Sequence, residues 1–232
     1  MNIISTGIIV LLFSANFVYG HGDDDPLLSR IMLDQIEARE DDKAALEIDA
    51  WVGKDLHKAW FKVDWVSEDG EIETAELQAL YSRAISAYWD LQLGVRHDFE
   101  LDYDEAENWA VIGLQGLAPY FFDVDAALYV GDGGNTALRF EAEYELLITQ
   151  RWVLIPEIEL NLYDQNHDQR GIGSGLSEAE FGLRLAYYFR REVAPYVGYY
   201  REQAFGNSHD YAEQAGVEPH QSTWVAGFKL WF

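Results

Sequence analysis

Residues 137–162 read ALRFEAEYELLITQRWVLIPEIELNL, and the period of this stretch decides the fold. Leu138, Phe140, Ala142, Tyr144 and Leu146 share one parity, and Arg139, Glu141, Glu143 and Glu145 share the other. Beyond "TQR", Leu154, Pro156, Ile158, Leu160 and Leu162 alternate with Ile155, Glu157, Glu159 and Asn161. Side chains that alternate in this way stand on opposite faces of a β-strand. Each half has about the 9–11 residues of a tilted transmembrane strand. A soluble sandwich would turn the apolar face inward, whereas a membrane barrel would turn it toward lipid. Periodicity alone is blind to that sign.

The rest of the chain breaks the tie. Twelve such segments are expected, near 31–38, 45–53, 56–66, 72–83, 87–99, 108–118, 120–130, 136–147, 152–163, 179–189, 194–204 and 222–232. The connections after even-numbered segments are tight ("GKD", "TQR", "RRE"). Most of the others are long and polar ("LDYDEAE", "DQNHDQRGIGSGLS", "GNSHDYAEQAGVEPH"). In "TWVAGFKLWF", residues 223–232, the face formed by Trp224, Ala226, Phe228, Leu230 and Phe232 is apolar throughout. These features predict an all-β, antiparallel, up-and-down transmembrane barrel of about 12 strands, with short periplasmic turns and longer extracellular loops. Pro156 is a blemish in a closed sheet unless a bulge accommodates it.

Residues 1–20, with the apolar run "IISTGIIVLLF" and small residues before Gly20, read as a signal peptide cleaved after Gly20. The expected division is 1–20 signal peptide, 21–30 a short N-terminal periplasmic segment, and 31–232 the barrel. The chain has no cysteine, which excludes thiolate chemistry, and its formal net charge of −25 argues against nucleic acid. Aromatic residues make up 15%, with eight Trp, as suits aromatic girdles at a membrane interface.

If the apolar face meets lipid, the polar face lines the lumen, where acids outnumber bases about two to one. The densest acids lie on the seventh to ninth segments. Closing the hairpins at "TQR" and "GDGGN" puts Glu143 opposite Glu157 and Glu141 opposite Glu159, with Asp125 meeting Glu141 and Asp123 meeting Glu143. Two unit charges about 5 Å apart repel by roughly 3 kcal/mol at an effective dielectric of 20. Three resolutions stay open: Arg139 and Arg184 bridge the rows in a filled lumen, the six carboxylates form a cation-attracting wall, or a carboxylate pair is catalytic. Of the histidines, His167, His209 and His220 belong to the long-loop rim. His21, if it begins the mature chain, offers an amine and an imidazole together, a pair suited to Cu(II).

The strings "AELQALYSRAISAYWDLQLGVRHDF", "GLAPYFFDVDAALYVG", "TALRFEAEYELLITQR", "QRGIGSGLSEAEFGLRLAYYFRREVAPYVG" and "WVAGFKLWF" resemble the copper resistance protein B family. The resemblance runs from about residue 21 to the end. It implies a barrel in the outer membrane of a Gram-negative bacterium that binds copper or passes it across the membrane, and not an enzyme. Implied partners are outer-membrane lipid, copper ions and periplasmic copper-resistance proteins, with the barrel a monomer. Family members often carry a Met- and His-rich segment ahead of the barrel. Here Met32 is the one methionine beyond the leader, so thioether ligation of Cu(I) is not supported and Cu(II) is favoured. The candidate metal residues are therefore Asp123, Asp125, Glu141, Glu143, Glu157, Glu159 and His21. The alternatives are a structural or diffusion porin and an outer-membrane hydrolase. The hydrolase would need an outward Ser beside an outward His such as His97, and no Ser has a matching position.

Overall fold

The computed structural model describes residues 25–40, 42–99 and 107–232; the expected leader and His21 lie outside them. The strands are β1 (Leu28–Arg39), β2 (Lys43–Gly53), β3 (His57–Glu68), β4 (Glu71–Ala84), β5 (Trp89–Phe99), β6 (Glu107–Ala118) and β7 (Phe122–Gly131). They continue with β8 (Thr136–Tyr144), β9 (Leu146–Leu147), β10 (Trp152–Tyr163), β11 (Gly175–Tyr187), β12 (Val193–Ala204) and β13 (His220–Trp231). β8 and β9 are one spanning strand interrupted at Glu145, so the sheet has twelve walls. Each strand pairs antiparallel with its sequence neighbours, and β13 pairs with β1, Met32 facing Trp231. The Ile31 and Phe232 backbones exchange hydrogen bonds of 3.1 and 2.8 Å across that seam. Closure leaves no open edge, which is the condition for a sheet to stand in lipid.

The faces lie as the alternation predicts. Leu93, Leu138, Ile158, Phe181, Trp224 and Phe228 point outward and are exposed. Gln78, Gln92, Glu76 and Arg184 point inward and are buried. Gln92 is enclosed and donates to Gln115.

One rim carries short connections, residues 54–56, 85–88, 119–121, 148–151 and 188–192. The opposite rim carries the turn between Glu40 and Asp42, then 69–70, 132–135, 164–174 and 205–219, and β5 ends and β6 begins there. Its first two are short as well. Asp69 and Gly70 have φ of 53° and 80°, the left-handed pair that a two-residue hairpin turn of matching twist requires. The final long connection holds a helix, α1 (Asn207–Ala215), that period-two reading did not anticipate. Ser208 of α1 accepts the Gly173 N–H at 2.7 Å, and its hydroxyl lies 2.7 Å from that of Ser177, tying this loop to the preceding one.

Local irregularities have local causes. β1 begins at Leu28, three residues before the expected start, and bulges at Asp34: Leu33 pairs with Ile48 but Gln35 with Glu47, leaving Asp34 unopposed. Asp34 and Gln35 both face the lumen, and beyond the bulge the inward positions change from even to odd, so Glu37 is buried too. Pro156 sits without a bulge. Leu154 opposes Leu146 and Glu157 opposes Glu143, so Pro156 stands opposite Tyr144 with no N–H to give, and the ladder lapses at the adjoining Glu145. Gly182 and Gly227 make room for two inward tyrosine rings: a Cβ there would meet Tyr200 Cε1 at 2.5 Å or Tyr196 Oη at 2.8 Å.

Substituting Arg for outward Ile158, near the middle of β10, is expected to cost about 2–4 kcal/mol at the membrane midplane. Urea titration of the folded barrel, read by its heat-modifiable migration in detergent electrophoresis, checks this. A neutral effect would put Ile158 on the wrong face.

Candidate functional site

The cross-strand register brings the lumenal acids into rows. Glu143 faces Glu157 and Asp123, while Glu141 faces Glu159 and Asp125, as the hairpin closures predict. The second of these rows is longer than expected. Glu159 pairs with Glu180 and Glu180 with Glu202, so Asp125, Glu141, Glu159, Glu180 and Glu202 follow one another across five walls. A facing row runs through Glu47, Asp64, Glu76, Asp98 and Glu107 on β2 to β6. Glu180 has the parity of Arg184 and was readable from sequence. Glu178 lies one residue ahead of the expected strand and was not. Neighbouring walls are about 4.8 Å apart, so each row concentrates like charge that must be compensated or hydrated.

Compensation is uneven, and it divides the lumen in two. Toward the short-turn rim, the Arg184 guanidinium, 1% exposed, donates to Glu143 at 2.5 Å, Glu157 at 2.8 Å and Asp34 at 3.3 Å. Lys229 Nζ lies 2.5 Å from Asp34 and 3.7 Å from Glu143. The Tyr196 hydroxyl donates to Glu37 at 2.8 Å beside this cluster. Higher up, Arg139 reaches across the lumen to Glu76 at 3.0 Å and lies 3.4 Å from Glu159 and 3.9 Å from Glu141. Arg96 pairs with Glu76 and Asp98 at 2.9 and 2.6 Å and stacks 4.7 Å from the Tyr129 ring centroid. Lys62 reaches Asp125 at 2.5 Å.

Among the upper of these pairs and above them, a cavity of about 630 Å³ opens between both rows. Thirteen carboxylates and six cationic side chains line it. Among the described residues, no Lys or Arg comes within ion-pair distance of Glu47, Asp49, Asp64, Glu178, Glu180 or Glu202, all of which face this cavity. Arg170 and Ile172, from the loop 164–174, roof one side, and Arg170 is bonded to Glu107.

The expected site residues therefore have different surroundings. Asp125, Glu141, Glu157 and Glu159 line the cavity, with Asp125 held by Lys62 and Glu157 by Arg184. Glu143 lies beneath the cavity in the Arg184 cluster, and Asp123 is exposed near the short-turn end of β7. His21 is outside the described residues. The Arg bridging weighed from sequence is present, by Arg184 in the lower lumen and by Arg139 in the cavity wall. Among the described residues no group of three or more His, Asp or Glu side chains is arranged as a ready metal centre. His57 packs on outward Tyr81, and His97 bonds outward Asn108 at 2.8 Å, with Phe99 beside it on the same face. The described cavity walls thus offer oxygen donors and no imidazole.

The chain from residue 27 to 232 matches the family model "Copper resistance protein B precursor (CopB)". It belongs to the copper resistance protein B family. Copper resistance protein B of Escherichia coli is 39% identical over 217 residues, spanning 92% of this chain and 73% of that relative. A copper resistance protein B homolog of Pseudomonas syringae pv. tomato is 39% identical over 212 residues, spanning 90% and 71%. Among solved structures the NanC porin has a TM-score of 0.55 at 9% identity, covering 88% of this chain and 99% of that one. The KdgM porin in complex with disordered oligogalacturonate has a TM-score of 0.53 at 11% identity, covering 88% and 98%. These likenesses are of fold alone. The protein is an outer-membrane β-barrel of a copper-resistance family.

Removing Arg184 would leave Asp34 and Glu143 sharing Lys229 and take from Glu157 its ion pair. Arg184→Met is expected to cost about 3–5 kcal/mol, as for other broken buried pairs. Arg184→Lys should recover only part, because one ammonium cannot reproduce a fork aimed at three carboxylates. Unfolding midpoints of the three barrels in urea check this order.

Proposed function

We propose that the barrel engages copper(II) in its acidic vestibule, holding the ion weakly enough to exchange, as its part in copper resistance. The observation that carries this is the set of cavity carboxylates without an ion-pair partner, Glu178, Glu180 and Glu202 with Glu47, Asp49 and Asp64. Glu141 and Glu159, only loosely shared by Arg139, extend that surface. Divalent cations would supply the missing counter-charge. Oxygen donors alone bind copper without strong selectivity, though Cu(II) leads the first-row divalent ions at a given site. This suits a concentrating surface and not a permanent store. Asp123, Asp125, Glu143 and Glu157 then act mainly by setting the local field, and His21 would be a separate nitrogen site.

An acidic lumen repels anions, which separates this reading from a general diffusion porin. Equilibrium dialysis of the detergent-purified barrel against Cu(II), with metal analysis, tests it. The barrel carrying Glu178→Gln, Glu180→Gln and Glu202→Gln should bind less copper per chain while keeping its heat-modifiable migration. Unchanged copper binding in the folded triple variant would refute the vestibule as the site.

A further inference from the structure

The same ion pairs that neutralise the lower lumen also cross it. Arg184 on β11 reaches Asp34 on β1, and Lys229 on β13 lies 3.7 Å from Glu143 on β8, so both contacts cut chords through the interior. In the other half, Lys62 on β3 reaches Asp125 on β7. Around and beneath the first chords, Val153, Ile155, Ala186, Ala194 and Val225 form a buried apolar cluster with Tyr196 and Tyr200. On this side of the barrel the cavity lining ends at this level. It includes Lys62, Asp125 and Glu157 but none of Asp34, Glu143, Arg184 or Lys229.

We infer that this layer is a floor, and that the vestibule is blind: it opens to the long-loop rim and is closed toward the short-turn rim. A cation that enters between the loops leaves by the same mouth unless the floor parts. Asp34 is central to the arrangement: it meets both Arg184 and Lys229, as Glu143 does from β8. A twelve-walled barrel is wide enough that side chains have to be placed across it to shut it, and these charged side chains are long enough to do so. Which ion occupies the vestibule rests on the reading above, whereas closure of the floor does not.

Single-channel recording of the purified barrel in planar bilayers, in potassium chloride free of copper, tests the floor directly. The unmodified barrel should show no sustained open-pore steps. Combining Arg184→Ala with Lys229→Ala should produce them, with folding verified by heat-modifiable migration. Should that variant fail to assemble, Lys62→Ala with Asp125→Ala removes a neutral pair, leaves neither partner orphaned, and should raise conductance through the other half. Sustained large steps in the unmodified barrel would overturn the inference. So would a folded floor variant that conducts no better than the parent. Copper plays no part in the recording, so failure of the copper reading in dialysis would leave this result standing.

Discussion

A sheet closed in lipid must keep its polar side chains inside, and in this barrel the inward side chains are disproportionately acidic. Mutual repulsion of carboxylates on adjacent walls is the constraint to which the interior answers. Arg184 and Lys229 meet it in the lower lumen by drawing Asp34, Glu143 and Glu157 into one buried cluster. Arg139 and Arg96 meet it higher up by converging on Glu76. Arg184, Lys229 and Arg139 each span between strands that are not neighbours, so neutralising the charge also ties the barrel across its width. Buried pairs of this kind contribute little net stability compared with apolar packing, but losing one partner is costly. The interior is therefore intolerant of single charge changes even where the sheet itself is intact.

In the vestibule, carboxylates outnumber Lys and Arg by thirteen to six. Its acids share one open space, and water or mobile cations have to complete what the protein does not. Membership of the copper resistance protein B family gives that unfinished charge a context. The donor set is oxygen-rich, and the described histidines on the strands face outward, which favours rapid exchange over tight retention.

Much of this was legible in the sequence because the code of a barrel is short. Period two fixes the face, hairpin closure fixes the register, and the pairing of Glu141 with Glu159 and Asp125 follows from those two rules. What was not legible breaks period two. β1 carries a bulge at Asp34, and one extra residue inverts every parity on one side of it, so Gln35 and Glu37 join Asp34 on the lumenal face. Parity could not be carried through β1 from sequence, so the floor that Asp34 joins could not be foreseen. Glu178 was missed because β11 begins at Gly175, in a glycine-rich stretch that resembles a loop, and a bulge at Ser177 disturbs its pairing. α1 was missed because a nine-residue polar helix within a loop has too few apolar positions to display a period. Sequence could list the charges on each face, but which of them meet depends on the curvature that closes the sheet.

Electron paramagnetic resonance of the Cu(II)-loaded barrel reports the donor atoms themselves. The account predicts an oxygen-ligated spectrum without imidazole nitrogen modulation, lost when Glu178, Glu180 and Glu202 are replaced by Gln. Strong imidazole modulation that survives those replacements would place the copper on histidine and contradict the acidic vestibule as its site.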